Sequence, residues 1–301
     1  MAILITGVTG FIGQNLKPYL QSRFSEYVGG LDLRSDWRSE LGPDTKGIVH
    51  LAGKAHDLKK SVDFRAYFDV NYELTKELYQ VFLKSSATTF IFVSSVKAAA
   101  DSLHGPLTED YVSKPETDYG KSKLMAEEYI RSQVLPEGKA YFILRPCMVH
   151  GPGNKGNLNL LYKFVQKGVP YPLASFLNKR SFLSIENFCY VVSQLLEDNN
   201  IPSGVYNIAD DEALSTNEVI EILAASLEKK PKMWFISKQI IQTLAWVGDK
   251  LSLPLNTERL NKLTENYIVS NHKIKQALRN DLPVKTKEGL MHTAKSFKYS
   301  S

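Results

Sequence analysis

Hydrophobic and polar positions follow two patterns in the first half of the chain. Short apolar runs, rich in β-branched and aromatic residues, recur as AILITG, YVGGLD, GIVHLAG, FIFVSS and AYFILRP. Between several of these runs, apolar residues recur every three or four positions, which is the period of an amphipathic helix. Strands that alternate with helices predict βαβ units and a parallel sheet with helices on both faces. We therefore expect an α/β fold with a doubly wound parallel sheet.

The pattern of apolar positions changes after Pro152. GNKGNLNLLYKFVQKG predicts a loop and then a helix, NKRSFLSIENF a strand that leads into a helix, and GVYNIAD one more strand. From Leu214 onward the pattern is mainly helical and is broken by prolines. We infer a first domain over residues 1–153, to which 186–210 return, and a small, mainly helical C-terminal cap over 154–185 and 211–301.

Composition is that of an ordinary globular protein. The 301 residues are 43% hydrophobic and 23% charged, so the chain can bury a full core. The net charge of +5 is spread without a dense Lys/Arg block, which argues against nucleic acid as a partner and favours weak attraction of small anions. Two cysteines without a CxxC pair and six histidines without metal spacing predict neither a disulfide framework nor a metal site.

No segment predicts export or membrane insertion. The first residues run straight into a glycine turn without a basic leader, so we expect no signal peptide. The best membrane candidate, residues 233–255, is interrupted by Lys238, Gln239, Asp249 and Lys250. An amphipathic helix packed in the C-terminal part is therefore expected instead of a span. A reducing cytoplasm fits the cysteine usage.

A glycine-rich turn follows the first apolar run. GVTGFIG places Gly7, Gly10 and Gly13 between the strand AILIT and the helix FIGQNLKPYL. Glycines there allow a sharp turn, close approach of a pyrophosphate to the backbone, and tight packing of the helix on the strand. The free N–H groups and positive end of that helix would face the phosphates. This context predicts a dinucleotide site.

An acidic residue ends the second apolar run. Asp32 lies 25 residues after Gly7, where a carboxylate can accept hydrogen bonds from both adenosine ribose hydroxyls. It would repel a 2′-phosphate, whereas Arg34, two residues later, is the residue type that a 2′-phosphate recruits. Asp32 could also simply cap a turn. NAD is therefore the expected cofactor and NADP the less favoured one.

TDYGKSKLMAEE predicts the start of an amphipathic helix whose solvent face carries Lys121, Glu127 and Glu128. In this segment Tyr119 precedes Lys123 by four residues, so the two lie on one face of the helix. A free tyrosine has a pKa near ~10 and is a poor base at neutral pH. An ammonium group one turn away, with the positive nicotinamide ring of a bound cofactor nearby, is expected to favour the phenolate and so to lower that pKa.

In their order, these motifs resemble those of the extended short-chain dehydrogenase/reductases, and more narrowly of the nucleotide-sugar epimerase/dehydratase group. The order is GVTGFIG, Asp32, HLAG, Asn71, FVSS and YGKSK. Later segments are similar to stretches of bacterial enzymes that act on UDP-N-acetylhexosamines or their 4-keto derivatives, namely LRPCMVHGPGNKGN, NKRSFLSIENF and LTENYIVSNHKIKQAL. The resemblance covers essentially the whole chain and implies a Rossmann-type sheet with a small substrate domain.

Carried over position by position, the resemblance implies a catalytic triad. Tyr119 would be the acid/base, Lys123 its partner, and Ser95 the hydroxyl that orients the substrate oxygen. The implied substrate contacts are Ser95, Lys97, Asn157 and Arg180, the last of which would grip a diphosphate. The implied cofactor contacts are Gly7, Gly10, Phe11, Ile12, Gly13, Asp32, Leu51, Ala52, Gly53, Asn71, Ser94, Tyr119 and Lys123.

Several of these residues also have a plain structural interpretation when they are taken singly. Ser95 could bond a local backbone group at a strand end, and Arg180 could form an ion pair between domains. Lys97 could lie in a solvated loop. His50, after a buried strand, is expected to be a hydrogen-bonded structural histidine and not a base.

The sequence departs from the family pattern in three places, one of which is Met148, where many epimerases have an asparagine. Only 17 residues separate Asp32 from His50, where relatives have room for a further strand and helix, so we expect a reduced sheet edge beyond the second strand. After Ser95 come Val96 and Lys97, without the Asp-Glu pair that sugar 4,6-dehydratases use as extra acid and base. The absence of this pair disfavours dehydration.

The resemblance implies an NAD-dependent UDP-sugar 4-epimerase of polysaccharide precursor synthesis. Tyr119 would remove the proton of a hexose 4-hydroxyl, and a transient 4-keto sugar would take the hydride back on its other face. Three alternatives stay open: an NAD(P)H-dependent 4-ketoreductase of a UDP-4-keto-6-deoxy-N-acetylhexosamine, a noncatalytic dinucleotide sensor, which the intact triad disfavours, and, as the least favoured, a membrane-bound scaffold held by residues 233–255. A homodimer is also implied, with the helix of Tyr119 and the preceding helix, about residues 65–86, in a four-helix interface.

Overall fold

The computed structural model describes residues 1–54, 64–154, 156–251 and 256–299. Its strands are β1 (Ala2–Thr6), β2 (Tyr27–Leu31), β3 (Thr45–His50), β4 (Thr89–Val93), β5 (Ala140–Pro146), β6 (Met148–His150), β7 (Phe182–Ser184) and β8 (Gly204–Ile208). Its α-helices are α1 (Phe11–Arg23), α2 (Phe64–Phe68), α3 (Leu74–Lys84), α4 (Asp118–Ser132), α5 (Asn157–Gln166), α6 (Ile185–Glu197), α7 (Thr216–Ser226), α8 (Lys238–Leu251), α9 (Thr257–Thr264), α10 (His272–Leu278) and α11 (Thr286–Ser296). A π-helical turn, Asp69–Glu73, joins α2 to α3, and 3-10 turns lie at Trp37–Glu40, Val96–Ala98 and Phe297–Tyr299.

Six strands form one parallel sheet in the order β2-β1-β3-β4-β5-β8. All five early apolar runs are strands of this sheet, and GVYNIAD supplies its last strand, so the expected α/β fold is confirmed. The chain runs outward from β1 to β2 and then returns to place β3 on the other side of β1. This reversal leaves a crevice at the carboxyl ends of β1 and β3, which is where doubly wound sheets bind ligands. Thr6 and His50 are register partners at that edge.

The sheet ends at β2, as the short spacing in the sequence predicted. Residues 32–44 contain a 3-10 turn and no strand before β3 begins. The turn buries Trp37, which packs in one apolar cluster with Leu4 and Leu31. A segment of this length cannot form a strand with a crossover helix. The indole of Trp37 therefore covers the core at this edge of the sheet.

Helices cover both faces of the sheet. One face packs against α1 and α6, with Leu16 and Phe188 in the shared core. The other packs against α3 and α4, with Phe82 and Ile130 in the core. All five residues of β4 are buried, which is typical of a central strand in a parallel sheet. This burial fixes where the end of β4, with Ser94 and Ser95, emerges.

The C-terminal part is mainly helical, as the pattern predicted. The short pair β6-β7 is parallel, and α5, α7 and α11 share an apolar cluster. The segment that was the best membrane candidate contains α8, which is an amphipathic helix, and residues 252–255 lie outside the described part of the chain. No helix among the described residues is long and apolar enough to cross a membrane. The inferred division into two domains stays a prediction.

An extended segment, residues 267–269, connects the two parts of the chain. The N–H of Ser181 donates to the carbonyl of Tyr267 (2.9 Å), and the N–H of Leu107 donates to the carbonyl of Ile268 (2.8 Å). The hydroxyl of Tyr267 donates to the carbonyl of Ala100 at 2.7 Å. The loop after β4 and the strand β7 are thus held on one common segment.

Candidate active site

The glycine turn after β1 is packed tightly against the end of β3. Gly7 has φ +69°, in the left-handed region, and a Cβ there would lie 2.8 Å from the backbone nitrogen of Ala52. A Cβ on Gly13 would lie 2.4 Å from the carbonyl oxygen of Gly7. The N–H of Gly10 closes the turn by donating to that oxygen at 3.1 Å. Side chains at Gly7 and Gly13 would therefore push α1 away from the strand.

The start of α1 can receive an anion. Gly10 is the N-cap without a side-chain cap, and the first turn contains no acidic residue, so backbone N–H groups of the first turn have no side-chain acceptor. Phe11 and Ile12 begin the helix and are half-buried. An uncapped helix start beside a glycine cradle fits the pyrophosphate of a dinucleotide.

Thr6 orders the end of β3, a role that sequence reasoning missed. Its hydroxyl accepts hydrogen bonds from the N–H groups of Leu51 (3.1 Å) and Ala52 (2.9 Å) and lies 2.8 Å from Nδ1 of His50. The other ring nitrogen of His50 lies 2.9 Å from the hydroxyl of Thr75. Burial lowers the pKa of His50 to about 3, with a smaller contribution from Lys123. His50 is therefore a neutral, hydrogen-bonded structural histidine, as expected.

Asp32 and Arg34 bind each other at the end of β2. The carboxylate accepts hydrogen bonds from Nε (2.9 Å) and Nη2 (3.0 Å) of Arg34 and from its backbone N–H (3.1 Å). These bonds hold the pKa of Asp32 below its usual value. Both side chains are exposed. Asp32 thus caps the turn and also neutralises the arginine that a 2′-phosphate would need.

Ser95, Tyr119 and Lys123 converge at the carboxyl end of β4. Ser95 follows the strand directly, and its hydroxyl is hydrogen-bonded to the side chain of Tyr119. Nζ of Lys123 donates to the carbonyl of Val93 (3.0 Å) and lies 4.8 Å from the ring centroid of Phe92. The hydroxyl of Ser95 also accepts the N–H of Lys97 (3.2 Å), so the strand-end interpretation and the active-site interpretation both hold.

The glycine of the YGKSK motif allows this convergence. A Cβ on Gly120 would lie 2.4 Å from the carbonyl oxygen of Lys97, so α4 can approach the loop after β4 only without a side chain there. Thr117 caps α4 by accepting the N–H of Gly120 at 3.3 Å. Tyr119, the second residue of α4, is thereby brought within hydrogen-bonding distance of Ser95.

Burial shifts the ionisation of both members of the pair. Burial raises the pKa of Tyr119, and the hydrogen bond from Ser95 only partly opposes this effect. Burial also lowers the pKa of Lys123 to about 8, against the charge of Glu127. Among the protein's own groups, desolvation of the phenol dominates; the expected lowering of the tyrosine pKa also depends on the positive ring of a bound cofactor, so it stays a prediction.

Glu127 is buried, which corrects the expectation that it faces solvent. Its carboxylate accepts hydrogen bonds from Nε (3.0 Å) and Nη2 (2.5 Å) of Arg145 and from the hydroxyl of Ser94 (2.5 Å). Glu127 and Arg145 have 0% and 3% of their side-chain surface exposed. Its neighbour Glu128 is exposed, as expected. The available signal was the spacing of four from Lys123, which places Glu127 on the face of α4 that carries the triad.

Asn71 connects the end of β3 to α4. Its Oδ1 accepts the N–H of Lys54 (2.8 Å), and its Nδ2 donates to the hydroxyl of Ser122 (3.1 Å). A Cβ on Gly53 would lie 2.9 Å from Oδ1 of Asn71 and 3.1 Å from Nζ of Lys123. Since Ala52 touches the glycine turn, the helix start that can hold a pyrophosphate and the lysine of the triad line the same crevice.

The implied substrate contacts lie on the C-terminal side of this crevice. Lys97 donates to the carbonyl of Asp101 (2.9 Å) and lies 4.6 Å from the ring centroid of Tyr267. Arg180 donates to the carbonyl of Lys262 and contacts the carboxylate of Glu265 at 3.4 Å. Burial lowers the pKa of both cations.

The charge of Arg180 also lowers the pKa of Lys97, so the two cations share one region. Asn157 is exposed at the first position of α5. In the part of the chain that the structure describes, no group of three or more His, Cys, Asp or Glu residues could hold a metal ion.

The sequence and the fold are similar to those of known proteins. A model of the NAD dependent epimerase/dehydratase family matches residues 3–209. A Vibrio cholerae protein described as UDP-glucose 4-epimerase is 30% identical over 98% of this chain and 95% of its own length. An Escherichia coli O157:H7 4-epimerase of N-acetyl-alpha-D-glucosaminyl-diphospho-ditrans,octacis-undecaprenol is 27% identical over 76% of this chain and 73% of its own. The structure of UDP-glucuronic acid 4-epimerase from Bacillus cereus with NAD has a TM-score of 0.78 at 21% identity and covers 100% of this chain and 99% of its own, which supports the fold.

Proposed function

Because the chain belongs to the NAD dependent epimerase/dehydratase family, we propose that it is an NAD-dependent UDP-sugar 4-epimerase. The observation that carries the proposal is the hydrogen bond between Tyr119 and Ser95, with Lys123 buried beside them. Full-length similarity to a UDP-glucose 4-epimerase supports the same reaction. A sensor would not need this triad.

The residues around the crevice fit NAD. The pyrophosphate would lie on the glycine turn and the start of α1, and Asp32 would accept the adenosine ribose hydroxyls. Gly53 and Lys123 would adjoin the nicotinamide ribose. Asn71 would keep this side of the crevice in place by accepting the N–H of Lys54. The bound cofactor supplies one chemical step, which is to accept a hydride from C4 of the sugar and to return it.

The protein groups move the proton that accompanies the hydride. Ser95 and Tyr119 would both bond the 4-oxygen, and the tyrosine, as phenolate, would accept its proton. After the keto sugar has turned over, Tyr119 would donate that proton to the same oxygen. Lys123, with a pKa of about 8, is mostly charged at neutral pH, and together with the positive ring of bound NAD it would offset the desolvation that raises the pKa of Tyr119.

The diphosphate of the nucleotide would be bound away from the reacting C4 of the sugar. Arg180 and Lys97 are half-buried cations near each other, which suits a diphosphate. Binding energy spent on the UDP moiety would keep the intermediate bound while its sugar ring rotates. We infer that binding the nucleotide tightly while the sugar ring is free to rotate lets one active site reduce either face of the keto sugar.

The decisive experiment offers UDP-glucose, UDP-N-acetylglucosamine and UDP-glucuronic acid to the purified protein with NAD, and identifies the 4-epimer by NMR. Tyr119→Phe should slow turnover by about 10²–10⁴-fold, because it removes the acid/base. Tyr27→Phe, at an exposed tyrosine of β2, is the matched control and should turn over at the wild-type rate. Unchanged turnover in Tyr119→Phe would remove the proposed role of the triad.

The same preparation distinguishes the 4-ketoreductase. A reductase would consume NADH stoichiometrically with a UDP-4-keto-6-deoxy-N-acetylhexosamine, whereas an epimerase would leave the nicotinamide absorbance unchanged at steady state. Net loss of that absorbance, without any epimer from the three sugars, would replace the epimerase by the reductase.

We also propose a homodimer that acts in the cytoplasm on polysaccharide precursors. In support of the dimer, α3 and α4 lie side by side on one face of the sheet, where Gln80 donates to the hydroxyl of Tyr129 at 2.8 Å. Light scattering of the purified chain should give twice its mass of 33.9 kDa. Cell fractionation should recover the activity from the cytoplasm, and deletion of the gene should deplete the surface polysaccharide.

A further inference from the structure

The region around α8 exposes an apolar surface that the proposed reaction does not use. We call residues 229–251 the α8 surface. Six large apolar side chains in it have more than half of their area exposed, namely Trp234, Phe235, Ile240, Leu244, Trp246 and Leu251. Soluble proteins seldom expose so many large apolar groups together without a binding purpose.

The helix has more apolar surface than its packing requires. One stripe, Ile241 and Ala245, is buried against Leu173 and Leu260. The next stripe, which includes Ile240 and Leu244, has the same helical spacing but is exposed. Two adjoining apolar stripes, of which only one meets the protein, leave the other available to a partner.

Charge identifies the kind of partner. The α8 surface contains five lysines (Lys229, Lys230, Lys232, Lys238 and Lys250) and one acidic residue, Asp249, whose carboxylate accepts the N–H of Thr257 at 3.1 Å. These 23 residues therefore carry a net charge of +4, out of +5 for the whole chain. The acidic residue that precedes them, Glu228, faces Nζ of Lys298 at 3.7 Å. A positive, apolar surface complements an anionic, amphipathic partner.

A cavity beside the aromatic pair has the same mixed character. Its volume is about 320 Å³, and Lys229, Lys230 and Lys232 line it together with Phe164 and Tyr171. Lysines that line a cavity together with apolar side chains suit a phosphate whose attached chain is apolar. The aromatic residues Trp234 and Phe235 follow Lys232 in the chain after one residue, Met233.

We propose that the α8 surface docks on the headgroup region of an anionic lipid bilayer. Trp234, Phe235 and the exposed stripe of α8 enter the interface, and the lysines bind lipid phosphates, as amphipathic helices at membrane surfaces do. A symmetric contact with a second copy is disfavoured because it would bring two charges of +4 together. The chain lies on the bilayer and does not cross it, and the inference is independent of the proposed epimerase reaction.

The test is sedimentation of the full chain with vesicles of phosphatidylcholine, alone or mixed with phosphatidylglycerol. The chain should sediment with the anionic vesicles, and added salt should weaken the binding. The double substitution Trp234→Ser, Phe235→Ser should lower the partition coefficient at least about tenfold, because two large apolar groups no longer enter the interface. Val134→Ser, at an exposed apolar residue on another face, is the matched control and should bind like the wild type.

Two further measurements keep the test decisive. Trp37 is buried, so a blue shift of tryptophan fluorescence on adding anionic vesicles reports Trp234 and Trp246. The double substitution Lys230→Glu, Lys232→Glu should also abolish binding to anionic vesicles. If the serine variant does not fold, as shown by the loss of its circular-dichroism melting transition, this second variant tests the proposal instead. Failure of the wild type to sediment with anionic vesicles would overturn the proposal. So would light scattering that shows a dimer in the wild type and a monomer in the serine variant.

Discussion

Replacing Glu127 by glutamine tests the buried network behind the proposed active site. The carboxylate is fully buried and accepts hydrogen bonds from three donor groups, which are Nε and Nη2 of Arg145 and the hydroxyl of Ser94. The substitution keeps the shape of the side chain but removes its charge. The guanidinium of Arg145 then stays buried, with the hydroxyl of Ser113 at 3.1 Å as its other side-chain hydrogen-bond acceptor.

The expected loss of stability follows from this geometry. Removing one partner of a buried ion pair costs about 3–5 kcal/mol because the remaining charge is desolvated without compensation. The amide oxygen of glutamine can still accept one bond from Arg145, so we expect the low end of that range, about 3 kcal/mol. The free energy of unfolding is measured by urea denaturation. The matched control is Glu128→Gln, at the exposed neighbour, which should change it by less than about 0.5 kcal/mol.

The same substitution should shift the pH dependence of catalysis. Glu127 opposes the burial that lowers the pKa of Lys123 to about 8. Without the carboxylate that pKa falls further, and the ammonium form is lost at a lower pH. The alkaline limb of kcat/KM should therefore move to lower pH in Glu127→Gln and stay in place in Glu128→Gln. Equal unfolding free energies for the two variants, with superimposable pH profiles, would refute the reasoning.

Three more predictions address the cofactor side of the crevice. Burial keeps His50 neutral with a pKa of about 3, whereas an unfolded histidine titrates near ~6.5, so stability should fall as the pH drops from about 6.5 toward 3. His50→Gln should remove up to about 1.4 kcal/mol per pH unit of that slope in urea titrations. Gly13→Ala should weaken NAD binding at least about tenfold by calorimetry, because its Cβ would lie 2.4 Å from the carbonyl oxygen of Gly7. Asp32→Ala should release Arg34 and raise the NADP/NAD affinity ratio by about tenfold or more in the same assay.

Each of these predictions has a control in the same chain. His104→Gln removes an exposed histidine and should leave the acid slope unchanged. Gly42→Ala adds a Cβ with nothing within 4 Å and should leave NAD binding unchanged. Asp36→Ala removes an exposed carboxylate near Asp32 and should leave the cofactor ratio unchanged. A variant that matches its control would contradict the corresponding prediction.

The sheet was predictable because its strands are short, apolar and bounded by glycine or polar residues. The reduced edge beyond β2 was also predictable, since the 17 residues between Asp32 and His50 cannot hold a further strand with its helix. The pair β6-β7 was harder, because a strand of three residues such as Met148–His150 has no period of its own. The π-helical turn at Asp69–Glu73 likewise has no sequence signal that propensity captures.

At the candidate site, sequence order predicted which residues meet, but not how they are charged. Ser95, Tyr119 and Lys123 do converge, while their roles stay predictions. The orientation of Glu127 was missed because a glutamate is normally solvated, and only Arg145, from a strand buried between both helix layers, makes its burial tolerable. The sequence did not show that burial raises the pKa of Tyr119 before a cofactor binds, because spacing along a helix says nothing about desolvation.

The extended segment at residues 267–269 sets the length of the proposed substrate site. It holds the loop of Ser95 and Lys97 through the hydroxyl of Tyr267, and the strand beside Arg180 through Ser181. Because one side-chain bond and one backbone bond fix both ends of this span to the same segment, we expect the distance from Ser95 to Arg180 to be constant. We expect the enzyme to select substrates by the distance between the reacting carbon and the diphosphate. Choice among sugars that match this distance would then fall to side chains around the ring.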